Sequence, residues 1–144
     1  MRRSATLHAV VLVDTSVLFL RKRSAELFRL ADEGPIAICP PVVQELLQGA
    51  HNEQRLTETL AIIENSVMLD SPVPIERFEV AGDIYRTARA GAFTIRSSND
   101  CLIAAIAIHH DVLLLHADRD FDYIAQFYPL RARRVIPSAS AARS

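Results

Sequence analysis

The sequence predicts an α/β fold, a three-layer α/β/α domain around a mainly parallel central sheet. Three observations predict it. Short apolar runs such as Ala9–Val13, Ile36–Cys39 and Val112–Leu115 read as strands buried on both faces. Segments with helical spacing alternate with them, which builds βαβ units and a parallel sheet. Cys101–Ile108 carries no polar side chain and is apolar around the whole helical wheel. A helix of that kind is enclosed by protein, and eight residues are too few to span a membrane.

The elements follow in order. Ala9–Val13 is the first strand, stopped by the cap- and turn-forming Asp14-Thr15-Ser16 before a helical Val17–Leu20. Arg21-Lys22-Arg23 interrupts, and Ala25–Glu33 is an amphipathic helix with Gly34 as its C-cap. Ile36–Cys39 is strand two. Pro41 suits the first helical position, so Val42–Ala50 continues as helix, with Val43, Leu46, Leu47 and Ala50 on its apolar face and Glu45 on the other side. Gln54–Glu64 is a helix, Val67–Leu69 a third strand, and Ile75–Ala90 a long helix closed by Gly91. Ser98 or Asn99 can cap the apolar helix, which places Asp100 in its first turn, where the helix dipole favours a negative charge. Val112–Leu115 is the next strand, Phe121–Phe127 a short helix that Asp120 can cap, and Arg134–Pro137 a last strand. The expected organisation is one domain over 1–137 and a small, polar, frayed tail at 138–144.

Composition narrows the function classes. The 144 residues fit one domain with a sizeable core, and 50% hydrophobic with 23% charged is an ordinary globular balance. No apolar run approaches the roughly 20 residues of a membrane span. Met1-Arg2-Arg3 is basic, but Ala9–Val13 is too short for a secretory core, so a cytoplasmic protein is expected. Cys39 and Cys101 form no CxxC and sit among apolar neighbours, as buried free thiols do in a reducing compartment. There is no glycine-rich phosphate loop. Six Phe, three Tyr and no Trp suggest no evident platform for stacking single-stranded bases.

The chemistry gathers at one edge. In such folds, sites form at the carboxyl ends of the strands and the helix N-termini beside them. Asp14 ends strand one, Asp118 and Asp120 follow the Val112–Leu115 strand, Asp100 opens the apolar helix, and Glu45 lies one turn into the helix after strand two. Singly, each has a structural reading as a cap or a solvated helix residue. Together they repel one another and have raised pKa values unless cations hold them. Hard oxygen ligands without a His or Cys pattern point to Mg²⁺ or Mn²⁺. With those five acids set aside, 16 basic side chains face 12 acidic ones, which suits a polyanion. His110 and His116 are lesser candidates for a general base, and Arg96 and Arg119 for phosphate contacts.

These residues resemble a known family. Val-Asp14-Thr-Ser-Val-Leu looks like the opening motif of PIN-domain ribonucleases, and Pro-Val-Val-Gln-Glu45-Leu-Leu-Gln-Gly is similar to their second acidic motif. Asn-Asp100-Cys-Leu-Ile-Ala-Ala-Ile-Ala resembles the third, and His-Ala-Asp118-Arg-Asp120-Phe-Asp-Tyr-Ile-Ala the fourth. Order, spacing and context agree from about Val11 to Val135, most of all with the VapC-like toxins of type II toxin–antitoxin pairs. The resemblance implies a PIN-like fold, a carboxylate-held Mg²⁺ or Mn²⁺, endonucleolytic cleavage of RNA, homodimers and a cognate antitoxin. It also implies Asp14, Glu45, Asp100 and Asp118 as the catalytic acids, Asp120 as an accessory metal ligand, and Thr15 or Ser16 as the hydroxyl beside the first acid. Arg21-Lys22-Arg23 matches no shared motif.

Two rivals stand beside this reading. A phosphohydrolase on a similar sheet wants a second Asp two residues after the first, where this chain has Ser16. A non-catalytic PIN-like module would bind RNA or protein and leave RNA uncut.

Overall fold

A computed structural model describes residues 10–18 and 35–135. Strand β1 spans Val11–Val13, and helix α1 spans Thr15–Leu18. Strand β2 (Ile36–Ile38) leads into α2 (Pro40–Gln48) and α3 (Glu53–Asn65), followed by β3 (Val67–Met68). Helix α4 (Ile75–Ala90) precedes α5 (Ser98–His110), then β4 (Leu113–His116), α6 (Arg119–Phe127) and β5 (Ala132–Arg134). Arg21-Lys22-Arg23, the Ala25–Glu33 helix, Gly34 and the tail at 138–144 lie outside the described residues.

The five strands form one sheet in the order β3-β2-β1-β4-β5, and every pairing is parallel. The expected mainly parallel sheet is therefore wholly parallel among the described strands. From β1 the chain steps outward to β2 and β3 in one direction, and to β4 and β5 in the other. Crossovers that keep one hand while the direction reverses lay helices on opposite faces. Leu12, Val13, Ala37, Ile38, Leu114 and Leu115 of the three central strands are buried accordingly.

Helix α5 packs against α2, α4, α6 and β4. Cys101 to Ala107 are all buried, and α4 lies along it. It ends where Asp111 takes φ +50°, a left-handed conformation that Asp tolerates better than most residues. Its start corrects the expectation. Ser97, rather than Ser98 or Asn99, is the N-cap; no side chain caps it, and the Asp100 N–H reaches the Ser97 carbonyl at 3.0 Å.

Three further differences follow. Helix α2 starts at Pro40, and its buried residues are Pro41, Val42 and Leu46, while Leu47 is exposed. The inward face is rotated from the expected one, and Glu45 falls between Pro41 and Val42 on the helical wheel. Helix α6 starts at Arg119, with Asp118 as its cap in place of Asp120: the Asp118 side chain accepts the Asp120 N–H at 3.0 Å. Strand β4 likewise extends to His116, one residue further than the apolar run suggests.

Candidate metal centre

Strands β1 and β4 are neighbours, and they flank the point where the strand order reverses. Ligand sites of doubly wound sheets form outside the carboxyl ends of strands at such a point. Asp14 follows β1 and Asp118 follows β4, so both side chains emerge there. The first turn of α5 brings Asp100, and the first turn of α6 brings Asp120. Helix α2 supplies Glu45 from the β2 side.

Three of the five acids form a tight group. One carboxylate oxygen from each of Asp100, Asp118 and Asp120 lies within 4.8 Å of the others. Asp14 and Glu45 lie outside that triangle but close enough for their charges to act on Asp100. Asp100 is 5% exposed and Asp120 is fully buried. Asp100 Oδ2, Asp120 Oδ1 and Glu45 Oε1 are buried without a hydrogen-bond partner. Buried polar atoms are nearly always paired, and orphaned buried carboxylate oxygens are costly. A hard divalent cation held by Asp100, Asp118 and Asp120 would give the Asp100 and Asp120 oxygens a partner, so this donor set fits Mg²⁺ or Mn²⁺.

Electrostatics support the same conclusion. Burial, then repulsion from Asp14, Asp118, Asp120 and Glu45, pushes the Asp100 pKa up to about 8. Burial also raises Asp14, although hydrogen bonds from Ser16 and the Thr15 backbone pull it back and Asp118 pushes it up. Glu45 is raised by burial first and by Asp14 next. The Thr15 hydroxyl beside Glu45 eases it downward, yet Thr15 Oγ1 and Glu45 Oε1 form no hydrogen bond. A divalent charge among these groups reverses the sign of their surroundings and favours the ionised forms.

The supporting contacts are where the sequence was least informative. Of the two hydroxyls beside the first acid, Ser16 is the one bonded to Asp14: its Oγ and its backbone N–H both donate to Asp14 Oδ2. The Arg96 backbone N–H donates to Asp120 Oδ2 at 3.0 Å, and its guanidinium reaches Asp118 Oδ1 at 3.5 Å. Arg96 follows the buried Ile95, so the loop is pinned while the side chain stays exposed. No motif marks Arg96, because the backbone contact depends on loop conformation alone.

Other candidates separate. His116 is wholly buried at the end of β4, and burial lowers its pKa. His110 sits at the far end of α5 from Asp100, where its Nε2 is 2.8 Å from Asp70 Oδ1, and Arg77 holds the other Asp70 oxygen. It takes no part in the acidic site. Arg119 is exposed at the start of α6, beside Asp118. Phe93 stacks on Tyr123 with centroids 3.8 Å apart, Phe127 lies 5.1 Å from Tyr123, and Phe93 and Tyr123 pack against the core. Cys39 and Cys101 are both free and buried.

Comparison with known proteins agrees with this geometry. The PIN domain family model matches residues 11–126. The chain is 38% identical over 131 residues to the VapC ribonuclease Mb1587 of Mycobacterium bovis, covering 85% of this chain and 97% of that protein. Ribonuclease VapC11 of Mycobacterium tuberculosis is matched at the same identity and coverage. Among solved structures, VapBC-1 from nontypeable Haemophilus influenzae superposes with a TM-score of 0.67 at 18% identity, covering 87% of this chain and 97% of that one. VapBC2 from Rickettsia felis, bound to a DNA fragment from its promoter, gives 0.65 at 18% identity, with 88% and 99% covered. At such identities the structural likeness speaks to the fold. With the family model spanning nearly all of the described sheet and the VapC ribonucleases aligned along most of the sequence, the chain belongs to the PIN domain family.

Proposed function

We propose that this chain is a divalent-cation-dependent endoribonuclease, the toxin of a VapBC-type pair, and that a cognate antitoxin masks its acidic cleft. The observation that carries the reading is the Asp100–Asp118–Asp120 triangle with its orphaned buried oxygens. Asp100, Asp118 and Asp120 would hold Mg²⁺ or Mn²⁺, with Asp14 and Glu45 at the rim as further ligands or as acceptors for its water. The bound cation supplies an acidified water and offsets negative charge on the phosphodiester.

This chain's own side chains do the rest. Ser16 orients the Asp14 carboxylate. The Arg96 N–H orients Asp120. The Arg96 guanidinium, held near Asp118 and largely exposed, is placed to pair with a phosphate oxygen of RNA. The same chemistry describes the partner: a cleft lined by carboxylates attracts an arginine, whose planar fork pairs with them bidentately. The relatives named as ribonucleases favour catalysis over a non-catalytic binding module.

Incubation of the purified chain with a labelled RNA tests the reading. Cleavage is expected with Mg²⁺ or Mn²⁺, none with EDTA, and a fall of two or more orders of magnitude for Asp100→Asn. RNA left intact by the wild type in both metals, across several RNA substrates, would overturn it in favour of a binding module.

A further inference from the structure

The turn that carries two of the three clustered acids hangs on a buried histidine. His116 ends β4 and is 0% exposed. Its Nδ1 lies 3.2 Å from the Asp118 backbone nitrogen, two residues along the chain. A ring nitrogen that faces an N–H has no hydrogen of its own, so it accepts, and the ring proton sits on Nε2. That Nε2 points to Asp122, 3.4 Å from Oδ1 without hydrogen-bond geometry, and Arg134 Nη2 holds the other Asp122 oxygen. Phe121 lies against the ring, centroids 5.1 Å apart, and the His116 carbonyl is tied to the Val135 N–H at 2.7 Å.

Apart from the Val135 N–H bond to the His116 carbonyl and the Phe121 N–H bond to the Asp118 carbonyl at 3.3 Å, the turn's hydrogen bonds among the described residues run to side chains. The Ala117 N–H donates to Ser16 Oγ, the Asp118 N–H to His116 Nδ1, and the Asp120 N–H to Asp118 Oδ1. The middle bond sets the peptide from which the Asp118 carboxylate projects. We infer that His116 is a positioning residue of the metal centre, fixing through Nδ1 the peptide that aims Asp118 and Asp120 at Asp100. It touches neither cation nor RNA, and it is no general base, because its accepting nitrogen is spent on the backbone. The inference rests on the metal-site reading above.

Two variants separate the acceptor from the packing. Asn places its carboxamide oxygen where Nδ1 stands, whereas Leu fills the same branch with methyl groups. Both lose the approach to Asp122, so both are expected to melt below wild type. Only His116→Leu is expected to bind Mn²⁺ and cleave RNA more weakly, by roughly 10- to 100-fold, as for loss of other groups that orient metal ligands. His116→Asn should recover most of both. Mn²⁺ affinity in His116→Leu equal to wild type, or His116→Asn as impaired as Leu, overturns the inference. Should neither variant fold, the wild type still answers: nitrogen NMR of the His116 ring is expected to show an unprotonated Nδ1, and a proton on Nδ1 overturns it. A wild type that binds no Mn²⁺ removes the metal-site reading instead, whichever nitrogen the ring protonates.

Discussion

The hydroxyl of Ser16 accepts the backbone N–H of Ala117 at 3.0 Å across 101 positions of sequence, while it donates to Asp14. One side chain thus ties the end of β1 to the end of β4 and aims the first acid between them. It joins the two strands that flank the reversal in the sheet, at the point where the fold leaves an opening for a ligand.

Removal of that hydroxyl is expected to be felt at Asp14. Ser16→Ala deletes one donor to the carboxylate and leaves the Ala117 N–H unpaired, so the Asp14 pKa, already raised by burial, rises further. RNA cleavage should fall by about 10-fold or more near neutral pH. The deficit should narrow as pH increases and Asp14 ionises. A pH–rate profile of the variant parallel to wild type would show that Ser16 does not tune the acid.

The metal-free protein should lose stability as pH rises. The Asp100 pKa is raised in the folded state to about 8, from the ordinary carboxylate value. A raised folded pKa gives a contribution present in full below the unfolded pKa and lost as pH climbs through the folded one, between about 4 and 8 here. Asp100→Asn removes the titrating charge, so it should melt close to wild type at pH 5 and above it at pH 8 without metal. Saturating Mg²⁺ should reverse the order at pH 8, because it binds the wild-type fold better. Melting curves of the two proteins that stay parallel across pH would remove the argument for a crowded, desolvated Asp100.

The thiols should be silent in the folded protein. Burial pushes Cys39 and Cys101 up to about 12 each, and both side chains are enclosed. The thiolate is the reactive form, so an alkylating reagent at pH 8 should label neither until denaturant is added. Labelling in the native state at the rate of a free thiol would place them at an accessible surface.

Expression of the chain alone is expected to arrest growth, with cellular RNA cut, and Asp14→Ala should abolish the arrest. Co-expression of the antitoxin should restore growth by inserting an Arg- or Lys-bearing segment among Asp14, Asp118 and their neighbours. Arrest that persists in the Asp14→Ala form would detach toxicity from the acids.

Much of the fold was legible because burial writes itself into composition. The run Cys101–Ala107 has no polar face, so an enclosed helix follows from the residues alone. The four strands seen as apolar runs pair in parallel as their continuous hydrophobicity requires. Strand β5 was harder: its residues are Ala132-Arg133-Arg134, two of them exposed, and an edge position does not demand apolar side chains. The burial of Glu45 was illegible for a related reason. Its helix begins at Pro40, and the arc that turns inward carries the carboxylate along with Pro41 and Val42. Asp14, Asp100, Asp118 and Asp120 stand out in the sequence because each sits at the end of a strand or the start of a helix. The groups that hold them do not: the Arg96 N–H and the His116 Nδ1 act through backbone conformation, which leaves no residue pattern to read.

The most direct measurement is the count of protons released when Mg²⁺ binds near pH 7 in weak buffer. With a pKa of about 8, Asp100 is mostly protonated in the metal-free protein and must ionise to serve as a ligand. Wild type is therefore expected to release about one proton more per bound cation than Asp100→Asn. Mg²⁺ bound by both proteins with equal affinity and equal proton release would contradict a metal centre built on Asp100.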